Sequence, residues 1–155
     1  MAPYTDFIRP ICLPSLDVTL KAPKNLYMTV AGWGAVNATV SRSNVLRRVH
    51  VPYVDFYVCR HKYNVTLHIT LSNGQLCAGS KNRDACTGDS GGPLMLLKGS
   101  TTELAGIVSF GPHPCGQETP GVYTKVYAYN DWIKATIEAD ELISTSTKSP
   151  MTSPT

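Results

Sequence analysis

The chain has 155 residues, enough for one ordinary domain, and its 43% hydrophobic and 16% charged content is that of a globular protein, not a disordered one. The net charge is only +3, with Lys and Arg scattered and only Arg47 and Arg48 adjacent, so no nucleic-acid partner is expected. No window holds the ~18 apolar residues that a membrane span needs, so no membrane partner is expected either.

Residues 1–24 read as an extended connector, because Pro3, Pro10, Pro14 and Pro23 each oppose regular pairing nearby. Its first residues, Met1-Ala2-Pro3-Tyr4-Thr5-Asp6, have no basic start and no apolar run, and so do not read as a signal peptide. Residues 25–138 carry the folded part. Tyr27–Ala31, Val45–Val51, Gln75–Ala78, Pro93–Leu97, Leu104–Phe110 and Gly121–Val126 are β-branched or aromatic-rich runs bounded by Gly, Pro, Asn or Ser, and are predicted as strands. Short strands at this spacing predict an all-β barrel or sandwich. Two stretches break the pattern. Pro52–His61 is predicted as a short helix. Tyr127–Ala139 is predicted as a longer one, with Tyr129, Ile133 and Ile137 four apart and Trp132 beside them in one apolar stripe. Residues 139–155, Ser/Thr/Pro-rich from Ser144 onward, are expected to be a disordered tail.

The five cysteines, Cys12, Cys59, Cys77, Cys86 and Cys115, contain no Cys-x-x-Cys pair and no Cys/His spacing suited to zinc, so no metal or cofactor is expected. Widely spaced cysteines in a Gly/Pro-punctuated β protein read as disulfides formed in an oxidising, extracellular setting. An odd count leaves one for a partner outside the chain. The sequons Asn37-Ala38-Thr39 and Asn64-Val65-Thr66 fit a secreted glycoprotein.

The stretch with chemistry in it is Asp84-Ala85-Cys86-Thr87-Gly88-Asp89-Ser90-Gly91-Gly92-Pro93-Leu94. A serine flanked by glycines sits where backbone can approach a substrate closely. Gly88 and Ser90 can turn two amides toward one point, which would stabilise a tetrahedral oxyanion; losing one such donor costs roughly 3–4 kcal/mol of barrier. Gly88-Asp89-Ser90-Gly91-Gly92-Pro93 resembles the nucleophile motif of the chymotrypsin/trypsin-like serine proteases. The surrounding blocks agree in order. Ala31-Gly32-Trp33-Gly34 is similar to the family's glycine-tryptophan turn, and Gly106–Gly111 to the strand that binds substrate backbone. Cys115-Gly116 and Pro120–Thr124 resemble the far wall of the specificity pocket, and Tyr127–Ile137 the closing helix.

That resemblance, over roughly residues 1–138, implies a six-stranded antiparallel C-terminal β-barrel of the trypsin-like fold with a C-terminal helix. It implies Ser90 as nucleophile, Gly88 and Ser90 as oxyanion-hole donors, and Asp84 as a pocket floor that pairs with a substrate Arg or Lys. Ser109, Phe110 and Gly111 would take substrate backbone as an added strand, and Gly111 and Gly121 would keep the pocket open. Phe110 stands where the family usually has tryptophan. Cys59 would pair with Cys77 and Cys86 with Cys115, while Met28 and Leu96 occupy the positions of a further bridge common in trypsins. Cys12, in Arg9-Pro10-Ile11-Cys12-Leu13-Pro14, resembles the connector cysteine that joins an amino-terminal module or light chain, a pattern similar to arthropod clip-domain proteases. Protein substrates and serpin-type inhibitors are the implied partners.

The family's histidine and aspartate lie in a first barrel upstream of the connector, where this chain starts, so the N-terminal barrel is expected to be missing and the chain inactive alone. His50, His61, His68 and His113 are expected to be structural or surface histidines. Asp89 resembles the carboxylate that pairs with the amine freed on zymogen activation, and is expected to be left unpaired and the pocket zymogen-like. The competing reading is a non-catalytic, protease-derived binding or regulatory protein. It predicts drift at the nucleophile, which the sequence does not show.

Overall fold

The computed structural model describes residues 4–36 and 42–146. Six strands, β1 (Tyr27–Gly32), β2 (Arg47–Val54), β3 (Gln75–Ala78), β4 (Pro93–Lys98), β5 (Thr101–Phe110) and β6 (Gly121–Lys125), pair antiparallel and close into a barrel in the order β1-β2-β3-β6-β5-β4. The expectation of a six-stranded antiparallel barrel followed by a helix holds. Side chains alternate across each strand, so Met28 and Val30, Leu76 and Ala78, and Leu94 and Leu96 all point inward, joined by Val51, Ala105, Val108 and Tyr123. Thr29 lies opposite Met95 and Val30 opposite Leu94. Met28 and Leu96 are buried in this one cluster, an apolar contact where the resemblance implies trypsins have a bridge.

Several element boundaries differ from the sequence expectation, each for a local reason. Pro52 belongs to β2, not to a helix: it sits opposite Tyr27, and its carbonyl accepts from the Gly79 amide at 2.9 Å. The helix α1 starts later and runs longer, Phe56–Leu67, because Asp55 is its N-cap, with Oδ1 accepting from the Tyr57 and Val58 amides at 2.9 and 3.1 Å. It ends at His68, which is in the left-handed region. Strand β5 begins at Thr101 instead of Leu104. Lys98 and Thr101 are paired across a two-residue turn whose first residue, Gly99, has φ +61°. The polar residues Thr101, Thr102 and Glu103 hid that extension in the sequence.

After β6 the chain makes a 3₁₀ turn, Val126–Tyr129, and enters the helix α2, Asn130–Ser146. The helix therefore continues through the first residues of the expected tail. Glu138, Ala139, Glu141 and Leu142 are good helix formers, and Pro150 is the next breaker. Residues 147–155 lie outside the described residues. The apolar stripe is mostly uncovered: Ile133 is half-buried, whereas Trp132 is 67% exposed and Tyr129 and Ile137 are also exposed.

The connector is pinned to the barrel, not loose. Cys12 forms a parallel bridge with Glu103, its amide donating to Thr102 and its carbonyl accepting from Leu104. Ser15 Oγ donates to Glu103 Oε1 at 2.8 Å, and Asn130 Nδ2 donates to the Pro14 carbonyl at 2.8 Å. Lys125 Nζ reaches Asp17 Oδ2 at 2.9 Å, with both side chains only about a tenth exposed (12% and 11%). Burial would raise the pKa of Asp17, but the Thr19 hydroxyl, Lys125 and the Thr19 amide together hold it below its ordinary 3.8. A depressed carboxylate contributes stability above its unfolded pKa and loses it as pH falls through the folded one. Lys125→Met is therefore expected to destabilise the chain by about 3 kcal/mol at neutral pH. Urea titrations should show that gap narrowing below pH 3.8; a gap independent of pH would contradict the pair's role.

Candidate active site

The segment from Asp84 to Gly92 lies in the connection between β3 and β4. Its conformation is fixed by its own backbone and by two carboxylates. Asp89 N donates to Cys86 O at 2.9 Å, Gly91 N to Val108 O at 2.9 Å and Gly92 N to Asp89 O at 2.8 Å. The amides of Gly88 and Ser90 have no acceptor among the described residues. Gly88 has φ +99°, a conformation that a side chain would strain. Over Gly88–Gly92 three amides are thus committed, and the two uncommitted ones lie on either side of Asp89.

Asp89 is half-buried and is held by two backbone amides, with no cationic partner among the described residues. Its Oδ1 accepts from Gly34 N at 2.8 Å and its Oδ2 from Cys86 N at 3.0 Å. A Cβ on either Gly32 or Gly34 would overlap the carboxylate, so the glycine-tryptophan turn is built around it. Beside it lies a cavity of about 190 Å³ lined by Gly32, Gly34, Arg47, Arg48, Asp84 and Asp89, among others.

Ser90 is exposed and lines a second cavity, of about 240 Å³, that also takes in Asp84, Gly88, Ser109, Phe110, Gly111 and Gly121. The structure thus brings together the expected nucleophile and all the expected substrate-binding residues. Asp84 Oδ1 accepts from Ala85 N at 2.9 Å and Oδ2 from Gly116 N at 3.1 Å. Burial raises its pKa above the usual carboxylate value, and the two amides partly offset this. A Cβ on Gly121 would stand 2.8 Å from Asp84 Oδ1, so only glycine there leaves the carboxylate reachable. The disulfides Cys59–Cys77 and Cys86–Cys115 are both formed; the second fastens the nucleophile segment to the loop after β5. Cys12 is free and exposed.

The edge of β5 beside Ser90 is open. Pro93, the first residue of β4, pairs with Ile107, so β4 does not extend along Ser109 and Phe110. The β5–β6 register shifts between Val108 and Phe110, a bulge at Ser109. Phe110 is held by an edge-on contact with Tyr63, ring centroids 5.9 Å apart. Tyr63 in turn donates its hydroxyl to Pro120 O at 2.6 Å, and burial together with the Asp84 charge pushes its pKa up to about 12.

Two residues of this cavity, one in the expected pocket wall and one expected as a surface histidine, carry features not foreseen from the sequence. Tyr123 is fully buried, with a hydroxyl that has no partner among the described residues, and its burial and Asp84 push its pKa up. Its inward place in the alternation of β6 was the available signal. His113 is exposed and lines the cavity, but forms no hydrogen bond to Ser90. His50 is engaged by Thr29 Oγ1 at 2.9 Å, His61 lies on α1 and His68 follows it. No group of His, Cys, Asp and Glu suited to a metal occurs among the described residues. Asn64 is exposed on α1, and Asn37 lies outside the described residues.

Comparison with known proteins agrees with this geometry. The chain is 50% identical over 147 residues to a phenoloxidase-activating enzyme of Bombyx mori, covering 89% of this chain and 33% of the relative. It is 46% identical over 144 residues to serine protease ea of Drosophila melanogaster, covering 88% and 36%. It is 45% identical over 143 residues to the CLIP domain-containing serine protease HP8 of Bombyx mori, covering 88% and 38%. The chain thus spans about a third of the length of these relatives. Residues 1–133 match the family model described as Trypsin, and the chain belongs to the trypsin family of serine proteases.

Proposed function

We propose that this chain is the nucleophile-bearing barrel of a secreted, trypsin-like serine endopeptidase that cleaves proteins after Arg or Lys. The observation that supports the reading is the two uncommitted amides of Gly88 and Ser90, beside an exposed Ser90 in a cavity that Asp84 also lines. In this reading a substrate lies along the open edge of Ser109, Phe110 and Gly111 as an added strand. Its basic side chain enters past Gly121 to meet Asp84, and a charge-assisted bond there fixes the scissile carbonyl near Ser90. Ser90 Oγ attacks that carbonyl, and the Gly88 and Ser90 amides take the developing negative charge.

Ser90 must lose a proton in that step, and no histidine among the described residues hydrogen-bonds it. The acceptor is therefore assigned to polypeptide outside these 155 residues, as is the amine that would enter the cavity beside Asp89. Loss of the base alone costs on the order of a millionfold in another protease of this chemistry. The isolated chain is expected to hydrolyse an arginine ester about a millionfold more slowly than a complete enzyme of this chemistry. Steady turnover that disappears in Ser90→Ala would overturn the assignment of the base.

Cys12, Asn37 and Asn64 complete the proposal. Cys12 takes a disulfide to an amino-terminal module, and the two asparagines carry glycans in an extracellular, zymogen-derived protein that serpin-type inhibitors can engage. Among the described residues no helix is long and apolar enough to cross a membrane.

The raised pKa of Asp84 makes the pocket testable without catalysis. A cationic amidine binds the ionised carboxylate, so its affinity is expected to fall as pH is lowered through a value above the ordinary 3.8. Asp84→Ser should weaken binding roughly 10–100-fold at neutral pH. Calorimetric titration with benzamidine checks both; equal affinity in the two proteins would remove Asp84 from the pocket floor.

A further inference from the structure

The sequon Asn64-Val65-Thr66 lies wholly inside α1, Phe56–Leu67. Residues two apart on a helix point about 200° apart and do not face each other. The Asn64 amide and the Thr66 hydroxyl therefore cannot be presented together to a transferase that reads both. The hydroxyl is also occupied, with Thr66 Oγ1 donating to the Lys62 carbonyl at 2.6 Å. Asn64 is exposed in the folded chain, yet the site as a whole is closed.

What closes it comes from other parts of the chain. A 12-residue helix is marginal by itself in water. This one is held by the Cys59–Cys77 disulfide, 18 residues apart, and by Tyr63, fully buried with its hydroxyl on Pro120 O, 57 residues away. Cys59, Tyr63, Leu71, Cys77 and Val122 form one small core cluster. At roughly 5–20 residues per second, Pro120 emerges some 3–11 s after Tyr63. Helix formation, once its supports are present, takes about a microsecond.

We infer that Asn64 accepts a glycan only while the chain is being threaded into the secretory compartment, and that folding of α1 onto β3 and β6 ends its competence. The inference rests on the secreted reading above. Transfer joins Asn64 Nδ2 to the anomeric carbon of an oligosaccharide carried on a lipid pyrophosphate. The anomeric carbon–oxygen bond breaks, the lipid pyrophosphate leaves, and one amide proton passes to the transferase. Occupancy at Asn64 is then set by a race, so whatever slows the closing of α1 raises it.

The test is glycan occupancy at Asn64, measured by mass spectrometry after enzymatic deglycosylation in heavy-oxygen water, on the protein made in secreting cells. Asp55→Ala removes the N-cap of α1 and leaves the sequon intact; brief treatment with a thiol reductant during synthesis delays Cys59–Cys77. Each is expected to raise occupancy at least about twofold over the untreated wild type. In a second arm, folded unglycosylated protein and the same protein reduced and unfolded are offered transferase and lipid-linked oligosaccharide; only the unfolded chain should be modified. Equal modification of both, or occupancy indifferent to both perturbations, overturns the ordering. No glycan at Asn64 in any arm, the unfolded chain included, overturns Asn64 as an acceptor and leaves the protease reading untouched.

Discussion

The rest of the site depends on how one nine-residue segment, Asp84 to Gly92, satisfies its own amides. Backbone donors near a barrel core must find acceptors, and here the carbonyls of Cys86, Asp89 and Val108 take three of them. Carboxylate oxygens take the Ala85 and Cys86 amides, and of those left over Gly88 and Ser90 flank Asp89 and sit beside an exposed serine. Asp89 sustains this arrangement from behind, because its carboxylate binds Cys86 within the segment and Gly34 outside it. A shift of that side chain would release both tethers together. The glycines at 32 and 34 are the steric counterpart, giving the carboxylate space that any side chain would fill.

Burial raises the pKa of both the connector aspartate and the pocket aspartate, but their partners make the net shifts opposite. Asp17 is enclosed together with Lys125 and two groups of Thr19, and its charge is stabilised in place. Asp84 is enclosed with only two amides, which do not offset the cost of burying its charge. The first arrangement neutralises its charge within the fold; the second has no cationic partner among the described residues. The same negative charge is felt by the Tyr63 and Tyr123 phenols, which line or support the cavity.

Much of this was legible from residue order. The strand runs were visible because their inward positions are apolar and their ends are Gly, Pro or Asn. Ser90, Gly88, Asp84 and the loop after β5 were visible as a motif. What escaped was set by partners distant in sequence. Pro52 reads as a breaker, yet it pairs with Tyr27 at the end of the β1–β2 ladder and serves the sheet through its carbonyl, which accepts from Gly79. Thr101–Glu103 reads as a polar turn, yet Glu103 is buried because Ser15 and Lys98 reach it from elsewhere. The two amides that hold Asp89, Gly34 and Cys86, were not foreseen, because backbone donors carry no side-chain signature. The exposed Trp33, Leu46 and Trp132 are read most simply against the relatives, which are about three times as long as the aligned stretch.

The pinning of Cys12 gives its thiol a fixed address. With its amide and carbonyl both bonded to β5 and the following residues clasped by Glu103, Lys125 and Asn130, the sulfur hangs from a rigid post and not from a swinging arm. A polypeptide disulfide-linked there would have an effective concentration in the millimolar range at nearby surfaces. Cutting such a chain elsewhere would change its shape without letting it diffuse away, so scission and separation would be two distinct events.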